Sequence, residues 1–297
     1  MIRSHLFAPG HSTRLLAKVF LAGADAVVLD LEDAVPAAEK GAARRAVSAA
    51  LADRTSAEPP LVFVRINGLE TSWWEADLDA IVQPGLDGIR ISKAQSAADV
   101  ERVATVLDRL EPARGLAAGR LAIVPTIESA AGVLHAAEIA AGPRVRALSF
   151  GATDFARDLG AQPGPDDLET LFARSALVVA SRAASIDPPI ASVYTHLSDD
   201  AGLRRSCEAA RRLGFFGRSC IHPSQLAIVH EVFTPSAEDV ARARAIVSAA
   251  ADAAERGVGA FVTAEGEFVD RAVVDRARAV LARAVAGNPT GPQEPAS

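Results

Sequence analysis

Short apolar runs alternate along the chain with longer stretches of helical period. Eight runs predict strands: Ser4–Pro9, Ala26–Leu31, Leu61–Ile66, Gly88–Ser92, Leu121–Ile127, Ala147–Gly151, Ile190–Tyr194 and Gly217–Ile221. Helix candidates lie between them, among them Arg14–Ala22, Ala97–Leu110, Ala130–Ala141 and Leu168–Ala184. Over Ala97–Leu110, the residues Val100, Val103, Val106, Leu107 and Leu110 share one face, the pattern of a helix that buries one side. Strand–helix alternation builds a parallel sheet covered by helices, and eight such units predict an α/β TIM barrel, (β/α)₈. An open doubly wound sheet is the competing arrangement. It usually shows a glycine-rich nucleotide loop after its first strand, whereas here the run ends in Pro9-Gly10-His11-Ser12 and no GxGxxG follows.

The pattern changes after residue 234. Pro235 fixes a turn, Ser236 is placed to cap a helix over Glu238–Ala254, and a short hairpin is expected from Ala260–Thr263 and Glu267–Val269 around Ala264-Glu265-Gly266. A last helix is expected from Arg271 to Ala286. The predicted organisation is a barrel over 1–234, a C-terminal helical extension over 235–286 that packs on a neighbouring subunit, and a polar, proline-rich, disordered tail over 287–297.

Composition narrows the function. The chain has 297 residues, 49% hydrophobic and 23% charged, enough to build a core without staples. A formal net charge of −6 argues against the basic surface that a nucleic-acid binder needs. An anionic substrate would have to be held by a local cluster of Arg, Lys or metal. Cys207 and Cys220 fall in no CxxC or metal-ligand spacing and read as buried free thiols of a reducing cytosol. Met1-Ile2-Arg3-Ser4-His5 leads straight into a strand-like run, so no secretory leader is expected, and no apolar segment reaches the roughly 18 residues of a membrane span. A cytoplasmic protein without nucleic-acid or membrane partners is expected.

Barrels of this kind keep their chemistry at the C-terminal ends of the strands. Five of the eight runs end in ionisable or polar groups there: Asp30-Leu31-Glu32-Asp33, Arg65-Ile66-Asn67, Ser92-Lys93, Ile127-Glu128 and Thr153-Asp154. Period-two alternation puts Asp30 and Glu32 on one face, and Arg65 and Asn67 on one face. Glu128 and Asp154 end adjacent strands, where two carboxylates can share a hard cation such as Mg²⁺, with water and substrate oxygens completing the octahedron. No His or Cys accompanies them, which disfavours zinc. The other reading of Asp154 is a helix N-cap. Arg65 would set a fixed positive charge beside the metal, suited to an oxyanion or carboxylate; an ion pair with Asp30 or Glu32 is its compatible structural role. Lys93 invites a Schiff-base reading, but nothing in the sequence marks the desolvated pocket that such a lysine needs.

These segments resemble the citrate lyase β-subunit-like proteins of the HpcH/HpaI aldolase superfamily, which includes malyl-CoA and citramalyl-CoA lyases. The resemblance runs from Arg3 to about Arg283. It is carried by Arg3-Ser4-His5-Leu6-Phe7-Ala8-Pro9-Gly10, by Ala24 to Val35 around Asp30, by Val64-Arg65-Ile66-Asn67, by Pro125-Thr126-Ile127-Glu128-Ser129, and by Cys220-Ile221-His222-Pro223-Ser224-Gln225. It implies that Glu128 and Asp154 bind Mg²⁺, that Arg65 orients the substrate, and that Glu32 and Asp33 hold metal-bound waters or the arginine. Lys40 belongs to the same motif. Arg14 and Lys18 match basic residues that contact CoA phosphates, and their i, i+4 spacing turns both one way; a solvated helix face is their other reading. The loop Ile221-His222-Pro223 would line the CoA channel, with His222 a turn histidine as the alternative to any contact. Glu267-Phe268-Val269-Asp270 resembles a segment whose aspartate enters an adjacent subunit's site, which makes Asp270 a candidate acid/base or else the N-cap of the final helix. Thr153 and Leu197 depart from residues usual in relatives, and Trp73-Trp74 could shape an acyl pocket or pack as a surface lid.

The resemblance implies Mg²⁺-dependent, reversible cleavage of a C–C bond in a 3-hydroxyacyl-CoA such as malyl-, citramalyl- or citryl-CoA, with CoA present as part of the substrate, by a homo-oligomer and most readily a trimer. The rivals are a CoA-independent class II pyruvate aldolase, an acyl-CoA thioesterase, and a citrate lyase β-like subunit that binds an acyl-carrier partner.

Overall fold

The computed structural model describes residues 1–54, 59–164, 166–263 and 266–287. Seven strands form one parallel sheet: β1 (Ser4–Pro9), β2 (Ala26–Asp30), β3 (Leu61–Ile66), β4 (Gly88–Ile91), β5 (Ala122–Ile127), β6 (Ser149–Phe150) and β7 (Arg218–Cys220), in the order β6-β5-β4-β3-β2-β1-β7. The helices are α1 (Thr13–Val19), α2 (Lys40–Ala52), α3 (Trp74–Ile81), α4 (Ala97–Ala113), α5 (Ala130–Leu134), α6 (Ala136–Ala140), α7 (Ala152–Leu159), α8 (Leu171–Ala183), α9 (Asp200–Leu213) and α10 (Leu226–Phe233). The α/β pattern read from the sequence is therefore the observed one, with the sheet curled as in a TIM barrel.

The strand expected at Ile190–Tyr194 is corrected to two isolated bridges, Ser149↔Ile190 and Ala191↔Arg218. Pro188 and Pro189 supply no ladder donors just before it. Beyond it, Ser192 is engaged elsewhere: its carbonyl accepts from Arg218 and its hydroxyl from the Ala152 amide. The bridges nonetheless link β6 to β7 around the ring, through Ile190 N–H to Leu148 O at 2.9 Å and Ala191 N–H to Gly217 O at 3.0 Å. The helix expected at Ala130–Ala141 is broken at His135, whose ring nitrogen meets the Gln95 carbonyl at 3.0 Å.

Alternation along each strand separates two interiors. Val27 and Leu29, Val62 and Val64, and Ile89 and Ile91 join the large core under the helices. The opposite residues, Ala26, Val28, Phe63, Val124, Ala147 and Ile190, pack together inside the curl. One step further along, that inner face turns polar, with Asp30, Arg65, Arg90, Ser149 and Ser219. The apolar floor thus leads up to charged groups at the C-terminal strand ends.

After α10, α11 (Ala237–Glu255) starts at Ser236, whose hydroxyl accepts from the Asp239 amide at 3.0 Å, as the sequence predicts. A hairpin of β8 (Phe261–Val262) and β9 (Phe268–Val269) follows, and α12 (Arg271–Gly287) ends the described chain. Of the turn expected at Ala264-Glu265-Gly266, residues 264 and 265 lie outside the described residues, as does the expected tail from 288 onward. These pieces have their own small core of Ala243, Ile246, Val269, Val274 and Ala277. Among the described residues, no helix is long and apolar enough to cross a membrane.

Candidate active site

The strand register places Asp30 directly beside Arg65. Arg65 Nε and Nη2 each donate to one Asp30 oxygen at 2.7 Å, a fork-to-fork pair. Arg65 Nη1 lies 2.9 Å from Glu32 Oε2 and 3.8 Å from Asp33. Burial opposes the guanidinium charge, but the hydrogen bonds to Asp30 and the charges of Asp30, Glu32 and Asp33 outweigh it and raise the arginine's pKa. Phe7 carries Arg65 over its ring at 5.3 Å and Arg90 at 5.1 Å. Arg65 has five N–H donors, of which two are bonded to Asp30 while Nη1 is ion-paired with Glu32, so its terminal nitrogens can still donate to a ligand.

The β2–α2 loop is tied from inside. Asp30 accepts the amides of Glu32 and Ala34 at 3.0 and 3.2 Å. Lys40, buried against the Trp73 ring, donates to the carbonyls of Leu31 and Glu32, both at 2.7 Å. This holds Glu32 inward while Asp33 stays exposed. Burial raises the pKa of Glu32 despite Arg65 and Lys93 beside it.

Glu128 is buried where β5 ends, and its Oε1 accepts the Lys93 amide at 2.7 Å. A Cβ at Gly151 would stand 2.3 Å from Glu128 Oε2 and 2.7 Å from its Cβ, so only glycine lets the next strand end come this close. Burial pushes the Glu128 carboxyl up to about 7, and the charges of Asp154 and Glu32 add to it against the Lys93 amide. Asp154 sits in the first turn of α7, past the N-cap position held by Gly151, so the N-cap reading is corrected. Its carboxylate pairs with Arg157 at 2.6 Å; Arg157 is largely exposed, and an exposed pair of this kind contributes little stability.

Among the described residues, no group of three or more His, Cys, Asp and Glu forms a closed cation cage. A pair of carboxylates fits a hard cation that keeps several waters, as Mg²⁺ does, and does not suit zinc. Glu128 and Asp154 are the residues that could hold it.

The raised Glu128 pKa has a pH signature in the metal-free protein. Its folded value lies above the ordinary carboxylate value, so protonated Glu128 favours the folded state. That contribution is fully present below about 4.5 and is lost as pH rises through about 7. Urea unfolding from pH 4 to 8 should show this slope in the wild type and lack it in Glu128→Gln. Equal slopes in both proteins would contradict the assignment.

The structure therefore gathers Glu32, Asp33, Arg65, Glu128 and Asp154 at one end of the sheet. It keeps the other candidates apart. Arg14 and Lys18 are exposed on α1, and Ile221 and Pro223 are exposed after β7. Because β7 pairs with β1, these two groups flank neighbouring strand ends. Asp270 caps α12, its Oδ1 accepting the Val273 amide at 3.0 Å. His222 shapes its own turn, with Nδ1 2.8 Å from the Ser224 hydroxyl. Arg90 goes beyond the sequence reading, and Lys93 makes contacts that the sequence reading did not foresee. Arg90 is fully buried and donates to the hydroxyls of Ser219, at 3.2 Å, and Ser149; its inward position between Ile89 and Ile91 was a visible signal. Lys93 reaches Glu32 at 2.5 Å.

A curled parallel α/β sheet with an arginine–carboxylate cluster and a second carboxylate pair at its C-terminal rim defines an enzyme site of the TIM-barrel type. Residues 3–223 match the HpcH/HpaI aldolase/citrate lyase family. The citrate lyase subunit beta-like protein of Deinococcus radiodurans is 42% identical over 284 residues, covering 95% of this chain and 96% of that protein. A (3S)-malyl-CoA thioesterase of Cereibacter sphaeroides is 36% identical, covering 96% of this chain and 95% of that one. The structure of the protein CitE from Mycobacterium tuberculosis, in complex with magnesium, acetoacetate and coenzyme A, superposes with a TM-score of 0.77 at 31% identity, covering 95% of this chain and 97% of that one. The chain belongs to the HpcH/HpaI aldolase/citrate lyase family and is an enzyme of the lyase type.

Proposed function

We propose that the protein catalyses Mg²⁺-dependent, reversible C–C cleavage of a 3-hydroxyacyl-CoA thioester such as malyl-, citramalyl- or citryl-CoA. The observation that carries this reading is Arg65, locked by Asp30 and Glu32 with donors to spare, on the same rim as the paired carboxylates Glu128 and Asp154. The relative solved with magnesium, acetoacetate and coenzyme A supports it. Glu128 and Asp154 would hold Mg²⁺, which when bound supplies positive charge to the oxygens of the 2-oxo acid fragment. In the cleavage direction the hydroxyl gives up its proton and the C–C bond breaks. The electron pair moves into the thioester enolate, and a proton returned to carbon yields the acyl-CoA. Arg65 donates to the oxygen that gains charge, Asp30 fixes its fork, and Glu32 and Asp33 hold its outer edge. Arg14, Lys18, Ile221 and Pro223 would carry the CoA portion.

Asp270 is the acid/base of this proposal, delivered from a neighbouring subunit of a homo-oligomer, most simply a trimer. Supporting this, Val262 and Phe268 on the hairpin beside it are large, apolar and about three-fifths exposed, at 62% and 61%. A head-to-tail contact between one extension and the next barrel closes as a ring. Asp270→Ala should keep metal binding and lose most turnover. Co-expression with Arg65→Ala should restore part of it, because some interfaces then unite an intact barrel with an intact Asp270. Mixed oligomers with no recovery, or an active monomer, would contradict the shared site. The free, buried cysteines support a cytoplasmic setting.

The experiment that tests the function is a screen of the purified chain with Mg²⁺ against the three thioesters, following both 2-oxo acid and free thiol. The thioesterase relative favours a second reading, hydrolysis, which releases thiol and no 2-oxo acid.

A further inference from the structure

Lys93 follows β4 and is one of the non-glycine residues with positive φ, at 53°. That conformation is disfavoured for a long side chain and persists where surrounding contacts impose it. Here the contacts are specific. The Lys93 amide donates to Glu128 Oε1 at 2.7 Å, and its ammonium donates to Glu32 Oε1 at 2.5 Å and lies 3.6 Å from Asp33. The second Glu32 oxygen is 2.9 Å from Arg65. One residue therefore touches the carboxylate pair with its backbone and the arginine cluster with its side chain. An extended backbone at this position would aim the amide and the ammonium differently, so the left-handed turn is what makes both contacts available at once.

We propose that Lys93 is a positioning residue, which sets the Arg65 guanidinium relative to Glu128 by holding Glu32 between two cations. The inference rests on reading Glu128 as a metal ligand. Lys93 does not act on substrate in this account. It acts through Glu32, whose carboxylate would swing or crowd Arg65 once one of its two cations is removed. The ammonium is about one-third exposed, at 32%, so a role in folding alone gives no reason to hold it in a strained turn at the rim.

The test is a double-mutant cycle read by calorimetry, with no turnover required. The probes are Mg²⁺ alone, and acetoacetate in saturating Mg²⁺. Lys93→Met keeps the backbone amide and removes the charge, so Mg²⁺ affinity should stay within about threefold while acetoacetate affinity falls about tenfold. Glu32→Gln should cost a similar factor, and the double variant should be no more than about twofold worse than either single one, because both act through one contact. Lys93→Arg should recover most of the loss. Lys93→Gly, which relieves the backbone, should lose as much as Lys93→Met. Additive losses, a Lys93→Met protein that binds acetoacetate like the wild type, or a benign Lys93→Gly would overturn the inference alone. Wild-type protein that binds no Mg²⁺ would overturn the metal-site reading and this inference together.

Discussion

Glu128→Gln is expected to lower Mg²⁺ affinity by about 10²-fold or more, because even partners behind a metal ligand are worth about 10–100-fold. The amide keeps an oxygen to accept the Lys93 N–H, so the local hydrogen bond survives while the charge is lost. Asp154→Asn should act the same way, and it frees Arg157, whose exposed pair matters little to the fold. Calorimetric titration of Mg²⁺ gives the affinity and circular dichroism the fold. Unchanged affinity in either folded variant would remove that residue from the metal site.

Arg65→Lys should lower turnover by about 10²–10³-fold, the range for losing a donor to a developing oxyanion. Lysine keeps the charge, but its three donors radiate from one point and cannot reproduce the two parallel bonds to Asp30 together with the ion pair to Glu32. Asp30 is almost fully buried, so an imperfect partner also destabilises the protein. The rate is therefore to be measured well below the variant's melting temperature. Turnover within a few-fold of the wild type would make Arg65 a structural residue.

What could be read beforehand follows from which interactions are local or periodic. Strand alternation points to Asp30 and Glu32 on one face, and parallel register brings Arg65 to Asp30, so the ion-pair role expected of Arg65 is the one the geometry shows, while its role toward substrate is a proposal. The nearness of Glu128 and Asp154 could be read from their following consecutive strands, Glu128 directly after β5 and Asp154 in the first turn of α7 after β6. The Lys93 contacts were not, since a positive φ and an amide aimed at Glu128 arise only when β4 and β5 are laid side by side. At the break at His135 the ring meets the Gln95 carbonyl, 40 residues away in sequence, a contact that no local pattern shows. The strand expected at Ile190–Tyr194 keeps only the bridges at Ile190 and Ala191; the prolines just before it were a signal present in the sequence, whereas the partners that Ser192 takes beyond it were not. Asp270 shows the opposite limit: within one chain its N-cap role is complete, and its proposed catalytic role needs a second copy.

The most direct measurement of the central claim is a product balance on whichever of the three CoA thioesters is consumed fastest, run with Mg²⁺ and again with excess chelator. The account predicts 2-oxo acid and a shorter acyl-CoA formed in equal amounts, no free thiol, and no reaction in chelator until Mg²⁺ is restored. Free thiol released without 2-oxo acid, or turnover that ignores the chelator, would contradict it.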